Sequence, residues 1–192
     1  TRQWQIGDMA VKEIDNLAQT KEPFFLRVSF HAPHVPCFVP PEYFIDPKTI
    51  HLPLPEAEEL ENKPEFEKEC LRTYAGGLEL SREQIDLCRG TYYGMAAMVD
   101  EQVGRIVNKL QSEGLLENTI IAINSDQGFQ LGEHGLWKKR VFYEANVKVP
   151  LIISCPELLP SGKVIDEPVE MIDFMPTLME LSSLKIPAGL RG

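Results

Sequence analysis

The sequence is poor in basic residues and holds no long apolar run. Its 192 residues include 19 Lys and Arg against 29 Asp and Glu, for a formal net charge of −10 at pH 7. Nucleic-acid binding relies on clustered Lys and Arg, so this charge argues against a nucleic-acid partner. No apolar run reaches the ~20 residues of a membrane-spanning helix, so we expect no membrane span. An anionic substrate would need a locally positive site.

Paired cysteines are also missing. The four cysteines, Cys37, Cys70, Cys88 and Cys155, form no CxxC pair, and no His or Cys lies at zinc-finger spacing. This pattern disfavours a zinc finger and a thioredoxin-like redox centre. Free buried thiols are the simplest interpretation, and four scattered cysteines leave the cellular compartment open.

Helical patterns occur in three places. Residues 8–19 (DMAVKEIDNLAQ) predict a helix with Asp8 as its N-cap. Residues 89–111 carry apolar side chains at three- and four-residue steps and predict the longest helix of the chain. Residues 173–181 predict a short helix with Pro176 in its first turn.

Apolar runs at 24–30, 119–124 and 149–154 predict buried strands. The last two are apolar on both faces, which is typical of parallel strands covered by helices. Strands that alternate with helices predict an α/β layered sandwich with a mostly parallel central sheet. Residues 35–88, rich in Pro and Glu, predict a variable loop excursion over the surface.

Polar clusters follow two of the predicted strands. Ligands of α/β sheets bind beyond the carboxyl ends of the strands. His31 and His34 follow the first strand, where a surface loop and a pair that contacts an anion or protonates a leaving group are both possible. Asp126 and Gln127 follow the second, where an ordinary turn with Gly128 and an oxygen site for Ca²⁺ or Mg²⁺ are both possible.

Three consecutive basic residues, Lys138, Lys139 and Arg140, lie between the last two strands. Such a run usually forms a solvated face. In this acidic chain it would also supply the positive charge that an anionic group requires.

Taken together, these motifs resemble the sulfatase family of the alkaline-phosphatase-like superfamily. Their order and spacing match over roughly residues 20–190, including the helix GTYYGMAAMVDEQVGRIVNKL. The HAPHVP and GEHG pair is most similar to the iduronate-2-sulfatase-like and choline-sulfatase-like branch. The family motifs are HAPHVP (31–36), SDQG (125–128), LGEHG (131–135), a lysine followed by YE, and VPLII (149–153).

The resemblance implies a role for each matching residue. Asp126 and Gln127 would ligate a divalent cation, with Ca²⁺ expected. His34 and Lys139 would contact the sulfate group and act in catalysis, and His134 would be either a substrate-side or a structural residue. Cleavage of a sulfate ester develops negative charge that a cation, a Lys and a His can stabilise. The implied partner is a sulfated small molecule or carbohydrate.

Several family elements have no counterpart here: the nucleophile motif, the paired Asp residues that begin the metal site, the Lys-x-x-His segment and the C-terminal subdomain. The family's nucleophile is a Cys or Ser in C/S-x-P-S/A-R, oxidised to formylglycine, and none of the four cysteines has that context. We therefore expect residues 1–192 to be the central and C-terminal part of a sulfatase catalytic domain. This part would lack the upstream nucleophile segment and the C-terminal subdomain, and would be inactive alone. The alternatives are a phosphonate monoester or phosphodiester hydrolase of the superfamily, and a truncated anion-binding homologue without activity.

Overall fold

The computed structural model describes residues 2–73 and 80–192. Short 3-10 turns at Pro41–Tyr43, Pro47–Thr49, Glu133–Gly135 and Met171–Asp173 connect its elements. The helices are α1 (Arg2–Thr20), α2 (Ala57–Glu61), α3 (Glu65–Thr73), α4 (Arg82–Ser112), α5 (Glu144–Val147) and α6 (Phe174–Leu181). The strands are β1 (Ile121–Asn124), β2 (Gln130–Leu131), β3 (Trp137–Lys138) and β4 (Leu151–Ser154). No helix in these two ranges is long and apolar enough to cross a membrane.

Helix α4 confirms the predicted long helix and begins earlier than the apolar pattern indicated. The Ser81 hydroxyl accepts the backbone N–H of Gln84, and the Gln84 side chain accepts that of Ser81, at 3.2 and 2.8 Å. This reciprocal pair satisfies two backbone donors and sets the start of the helix. The helix ends before Gly114, whose φ of 68° fits a left-handed C-terminal residue. The predicted helix at 173–181 is likewise confirmed as α6.

Helix α1 packs lengthwise on α4. Ile14 of α1 and Gln102 of α4 are fully buried at this contact. The prediction that Asp8 is an N-cap is wrong, because the helix already begins at Arg2. Asp8 instead lies inside α1, where its carboxylate accepts a 2.5 Å hydrogen bond from Arg105 of α4.

Strands β1 and β4 pair with each other, but the prediction of parallel strands is wrong. Asn124 lies opposite Leu151 and Ile121 opposite Ser154, so the pair is antiparallel. A parallel pair needs a long crossover, and the intervening chain instead doubles back through the short β2–β3 hairpin. The two strands are also less buried than predicted, with β4 alternating between half-buried and exposed residues.

Residues 24–30 have no assigned secondary structure, so the prediction of a buried strand is wrong. Half-buried and exposed side chains alternate along the run, and Phe25 is 85% exposed. Apolar, β-branched composition favours an extended backbone, but a strand also needs a hydrogen-bonded neighbour. The described parts of the chain pair no strand with this segment.

The main core lies between the segment 52–73, α4 and the region between β1 and β4. Its buried members are Cys70, Leu131, Leu136, Trp137 and Val141. Of the four thiols, Cys70 and Cys155 are buried as expected, Cys37 is half-buried, Cys88 is exposed, and all four are free. Residues 52–73 therefore contribute to packing through α2 and α3 instead of only crossing the surface.

Arg89 of α4 joins the three parts of this core. Its side chain is 1% exposed, and its Nε donates to the Leu131 carbonyl at 2.9 Å. Its Nη1 donates to the Leu52 carbonyl, also at 2.9 Å. A buried charge is costly unless its donors are satisfied, and backbone carbonyls satisfy them here. The guanidinium thereby connects the segment before α2 to the end of β2.

Candidate functional site

The turn after β1 carries the two candidate ion ligands. Asp126 and Gln127 are both exposed, directly beyond the carboxyl end of the strand. The Ser125 hydroxyl donates to the Gln127 carbonyl at 2.9 Å and shapes the turn. Both candidate side chains offer oxygen atoms, which hard divalent cations prefer.

Backbone hydrogen bonds at Gly128 connect this turn to α5. The Gly128 N–H donates to the Asn146 carbonyl, and the Phe129 N–H donates to the Ala145 carbonyl, both at 2.8 Å. A Cβ at position 128 would lie 1.9 Å from the Ala145 carbonyl oxygen. Only glycine permits this approach, so its place in SDQG has a steric cause.

The LGEHG motif forms a tight turn between β2 and β3. Gly132, His134 and Gly135 all have positive φ, at 100°, 56° and 71°. Glu133 closes the turn by accepting the Leu131 N–H at 2.5 Å. His134 is half-exposed, and its Nδ1 lies 2.7 Å from Glu59 Oε1. Its ring stacks on Tyr143 at 3.9 Å between centroids.

Lys139 follows β3 in an unusual backbone setting. It is half-buried, whereas the neighbouring Lys138 is exposed. Lys138 and Arg140 have φ of 71° and 85°, a left-handed conformation that side chains with a Cβ disfavour. Asn146 donates to the Lys138 carbonyl at 3.2 Å and holds the strand end in place. The structure thus gives Lys139 a defined position between two strained residues.

The HAPHVP loop places His31 and His34 side by side. Their ring centroids are 4.8 Å apart, and the His34 N–H donates to the His31 carbonyl at 3.0 Å. His34 Nδ1 lies 2.7 Å from the Val35 carbonyl oxygen, which can only accept. Nδ1 therefore carries a proton, and Nε2 is the nitrogen available to a ligand.

The predicted site residues form separate local groups in the described structure. Asp126 and Gln127 are joined to α5 through Gly128, and His134 is joined to α2 through Glu59. Over residues 2–73 and 80–192, no hydrogen bond or ring contact joins His34 to either group. The same residues contain no group of three His, Cys, Asp or Glu side chains that could hold a metal.

A buried lysine beside His134 was missed by the sequence analysis. The Lys63 ammonium lies 3.2 Å from Glu59 Oε1, 3.3 Å from Glu67 Oε2 and 3.1 Å from the Tyr143 hydroxyl. Burial alone would lower the pKa of Lys63, but the hydrogen bonds to Tyr143 and Glu59 outweigh it and raise that pKa. The available signal was the i, i+4 spacing of Glu59, Lys63 and Glu67.

An open cleft of about 550 Å³ lies between this lysine and the LGEHG turn. Its lining includes His134 and Tyr143, together with Glu56, Glu58, Glu59 and Glu67 from the α2–α3 segment. The hydrogen bond from His134, followed by that from Lys63, lowers the pKa of Glu59. The four glutamates give this cleft a negatively charged wall, with the Lys63 ammonium paired to two of them.

Sequence comparison finds sulfatases among the relatives of this chain. A family model described as Sulfatase matches residues 5–184. An arylsulfatase of Clostridium perfringens is 34% identical over 174 residues, which cover 89% of this chain and 36% of the relative. A sulfatase of Formosa agariphila is 34% identical over 182 residues, covering 86% and 33%. Human iduronate 2-sulfatase is 26% identical over 221 residues, covering 95% and 40%. The chain thus spans little more than a third of these relatives.

Solved structures share the fold. A phosphonate monoester hydrolase from Silicibacter pomeroyi superposes with a TM-score of 0.88 at 28% identity, covering all of this chain and 40% of that one. A putative sulfatase from Bacteroides fragilis gives a TM-score of 0.72 at 26% identity, covering 97% and 38%. The predicted α/β fold class, alkaline-phosphatase-like and partial here, is confirmed.

Proposed function

Because this chain belongs to the sulfatase family, we propose that it is the central and C-terminal part of the catalytic domain of a sulfuric ester hydrolase. The complete protein would hydrolyse a sulfate ester. The observation that carries the proposal is the connected loop from Ser125 to Tyr143. There β2 pairs with β3 around the LGEHG turn, and Asn146 of α5 bonds both to Gly128 of the SDQG turn and to the Lys138 carbonyl next to Lys139.

The proposed chemistry is stabilisation of negative charge. As the sulfate ester breaks, charge grows on the transferred group and on the departing oxygen. The Lys139 ammonium would bind the sulfate oxygens. His34 would contact the same group through Nε2, since its Nδ1 is engaged by Val35. Each well-placed donor is worth about 2–4 kcal/mol of barrier.

Members of this family generally use a divalent cation and a formylglycine. We propose Ca²⁺ as the cation here, with Asp126 and Gln127 as two of its ligands. Their oxygen atoms fit such an ion, but Ca²⁺ takes six to eight oxygens. The remaining ligands and the formylglycine nucleophile would come from other parts of the complete protein. The bound cation would supply electrostatic stabilisation of the developing charge.

The proposed substrate is a sulfated small molecule or carbohydrate. Relatives named for their substrates include an N-acetylglucosamine-6-O-sulfatase of Bacteroides thetaiotaomicron and a choline-sulfatase of Rhizobium meliloti. These names span a sugar sulfate and a small alkyl sulfate, so they support the class of substrate only.

A phosphonate monoester hydrolase is the second candidate function. The observation that favours it is the 0.88 TM-score to the Silicibacter pomeroyi enzyme over the whole chain. Both reactions develop charge on a tetrahedral group, so the same Lys and His would serve either one.

The test is the activity of the complete purified protein on matched aryl substrates, one a sulfate ester and the other a phosphonate monoester. We expect a kcat/KM for the sulfate well above that for the phosphonate. Asp126→Asn and Lys139→Met should each lower kcat by about 10²–10³. Lys163→Met, at an exposed lysine with the same charge change, is the control. A preference for the phosphonate would favour the second candidate, and anion binding without turnover would point to the non-catalytic homologue.

A further inference from the structure

Lys63 is a buried charge, and two of its three partners, Glu59 and Tyr143, contact His134. The Lys63 side chain is 3% exposed and comes from the link between α2 and α3. One carboxylate partner, Glu59, precedes it by four residues, and the other, Glu67, follows it by four. Its third partner, the Tyr143 hydroxyl, comes from the YE motif. A buried ammonium with this set of partners holds two distant segments in one arrangement.

His134 is fixed from two sides by partners of Lys63. Glu59 Oε1 accepts from Lys63 and also contacts His134 Nδ1. The Tyr143 ring, 5.1 Å from the Lys63 ammonium, stacks on the imidazole with an interplanar angle of 12°. The Tyr143 hydroxyl also donates to Glu67 at 2.6 Å, which restricts the ring. Lys63 therefore supports both contacts of the His134 ring. It holds Glu59, which contacts Nδ1, and Tyr143, which stacks on the ring face.

We propose that Lys63 is a positioning residue that sets the orientation of His134 through Glu59 and Tyr143. The proposal deepens the proposed function, since it takes His134 as a substrate-side residue of that site. With Nδ1 directed at a carboxylate, Nε2 is the nitrogen left for a substrate. The α2–α3 segment would thus act on substrate binding without any of its residues touching the sulfate group.

The physical reason is charge balance. Without the ammonium, the Glu59 and Glu67 carboxylates, which lie 3.2 and 3.3 Å from it, would lose their shared counter-charge and repel each other. Glu59 would turn toward solvent and release Nδ1, while Tyr143 would keep only its bond to Glu67. His134 has no other restraint on its ring in the described structure, apart from the tight turn of its own backbone.

The experiment compares Lys63→Met, Lys63→Arg and Lys48→Met in the complete protein. Lys48 is an exposed lysine of the preceding segment and controls for the loss of one positive charge. The first readout is the NMR signal of the His134 ring, labelled at histidine and assigned with His134→Gln. Stacking on Tyr143 shifts this signal upfield through the ring current. We expect Lys63→Met to abolish the shift and Lys63→Arg and Lys48→Met to retain it.

The second readout is the effect of each variant on KM and, separately, on kcat, measured with the aryl sulfate. Lys63→Met should raise KM by about tenfold with kcat changed little, because His134 binds substrate and does not act in the chemical step. Lys63→Arg should recover most of this loss. An equal fall in kcat and kcat/KM with an unchanged His134 signal would overturn the proposal.

Two further outcomes are informative. If Lys63→Met does not fold, Glu67→Gln removes a carboxylate that Lys63 and Tyr143 share without touching His134, and should reduce the ring-current shift. An unchanged shift in folded Glu67→Gln would then overturn the proposal. Absence of turnover in the unmodified protein would count against the proposed function alone, since the NMR comparison does not require activity.

Discussion

Tyr92 is a single side chain whose ionisation is tied to the fold. Its ring lies on α4 and packs against Phe129 with centroids 5.1 Å apart, beside the main core. Burial, together with nearby Cys37 and Tyr93, raises the pKa of the Tyr92 hydroxyl to about 12 from an ordinary 10. The native state therefore keeps a proton that the unfolded chain releases above pH 10.

This difference predicts a loss of stability in alkali. Because the folded state binds more protons, the free energy of unfolding should fall as pH rises from 10 to 12, by about 2 kcal/mol in total. Tyr92→Phe has no hydroxyl and should show a shallower fall. Urea unfolding at several pH values from 8 upward measures both slopes. Equal slopes in the two proteins would contradict the assigned cause.

Arg89 shows why some important residues escape sequence analysis. Its acceptors are backbone carbonyls 37 and 42 positions away. Every residue has such a carbonyl, so the sequence does not indicate which ones will accept these hydrogen bonds. Asp126, Gln127 and Lys139 were identifiable because the family motif spaces them along one loop. Tyr143 was within that motif as well, but its link to Lys63 depends on how residues 57–73 fold back.

At the scale of elements, the segment that follows the HAPHVP loop packs against the backbone of α4. Gly94 meets the Tyr43 carbonyl, where an added Cβ would lie 2.3 Å from the oxygen. Gly90 meets Phe44 and Ile45 in the same way, and the Ile45 N–H donates to the Gly90 carbonyl at 3.2 Å. Because Gly90 and Gly94 lack a Cβ, residues 43–45 can contact the helix backbone directly.

Substitution of these glycines separates packing from helix propensity. Gly94→Ala should destabilise by about 1–3 kcal/mol, because backbone atoms of residue 43 have to move. Gly104→Ala, on the same helix with nothing within 4 Å, should stabilise by up to about 1 kcal/mol. Thermal unfolding of both variants gives the comparison. A shift of the same sign in both would show that the close approach at Gly94 has little energetic weight.

Elements were predictable where local signals agreed with the final packing. Helix α4 has an apolar stripe, a capping box and a terminal Gly114, and all three indicate a helix. Residues 24–30 have strand composition only, and pairing depends on a neighbour that composition does not reveal. The direction of β1 against β4 depends on how residues 125–150 double back, which hydrophobic runs do not encode.

At the scale of the whole molecule, the described residues include many large apolar side chains that are exposed. Phe25, Phe142 and Val164 are 85%, 90% and 77% exposed, and Ile152 of β4 is also exposed. Exposed apolar area of this kind promotes association when it forms contiguous patches. The chain also spans little more than a third of its sulfatase relatives.

We therefore expect the 192-residue chain on its own to bind the dye ANS and to self-associate as its concentration rises. The double variant Phe142→Ser/Val164→Ser should weaken both properties. The control is Lys148→Ser/Lys163→Ser, which changes exposed charged positions of the same region. Light scattering after size exclusion, together with ANS fluorescence, measures the effect. A monomer without ANS binding at all concentrations would contradict the prediction.

The left-handed backbone at Lys138 and Arg140 has a consequence for how this loop can change. Left-handed residues that carry a Cβ cost on the order of 1–3 kcal/mol each, and glycine at either position would relieve that cost. Glycine would also loosen the backbone that fixes Lys139. Selection for heat resistance would therefore favour glycine at 138 and 140, whereas selection for turnover would oppose it.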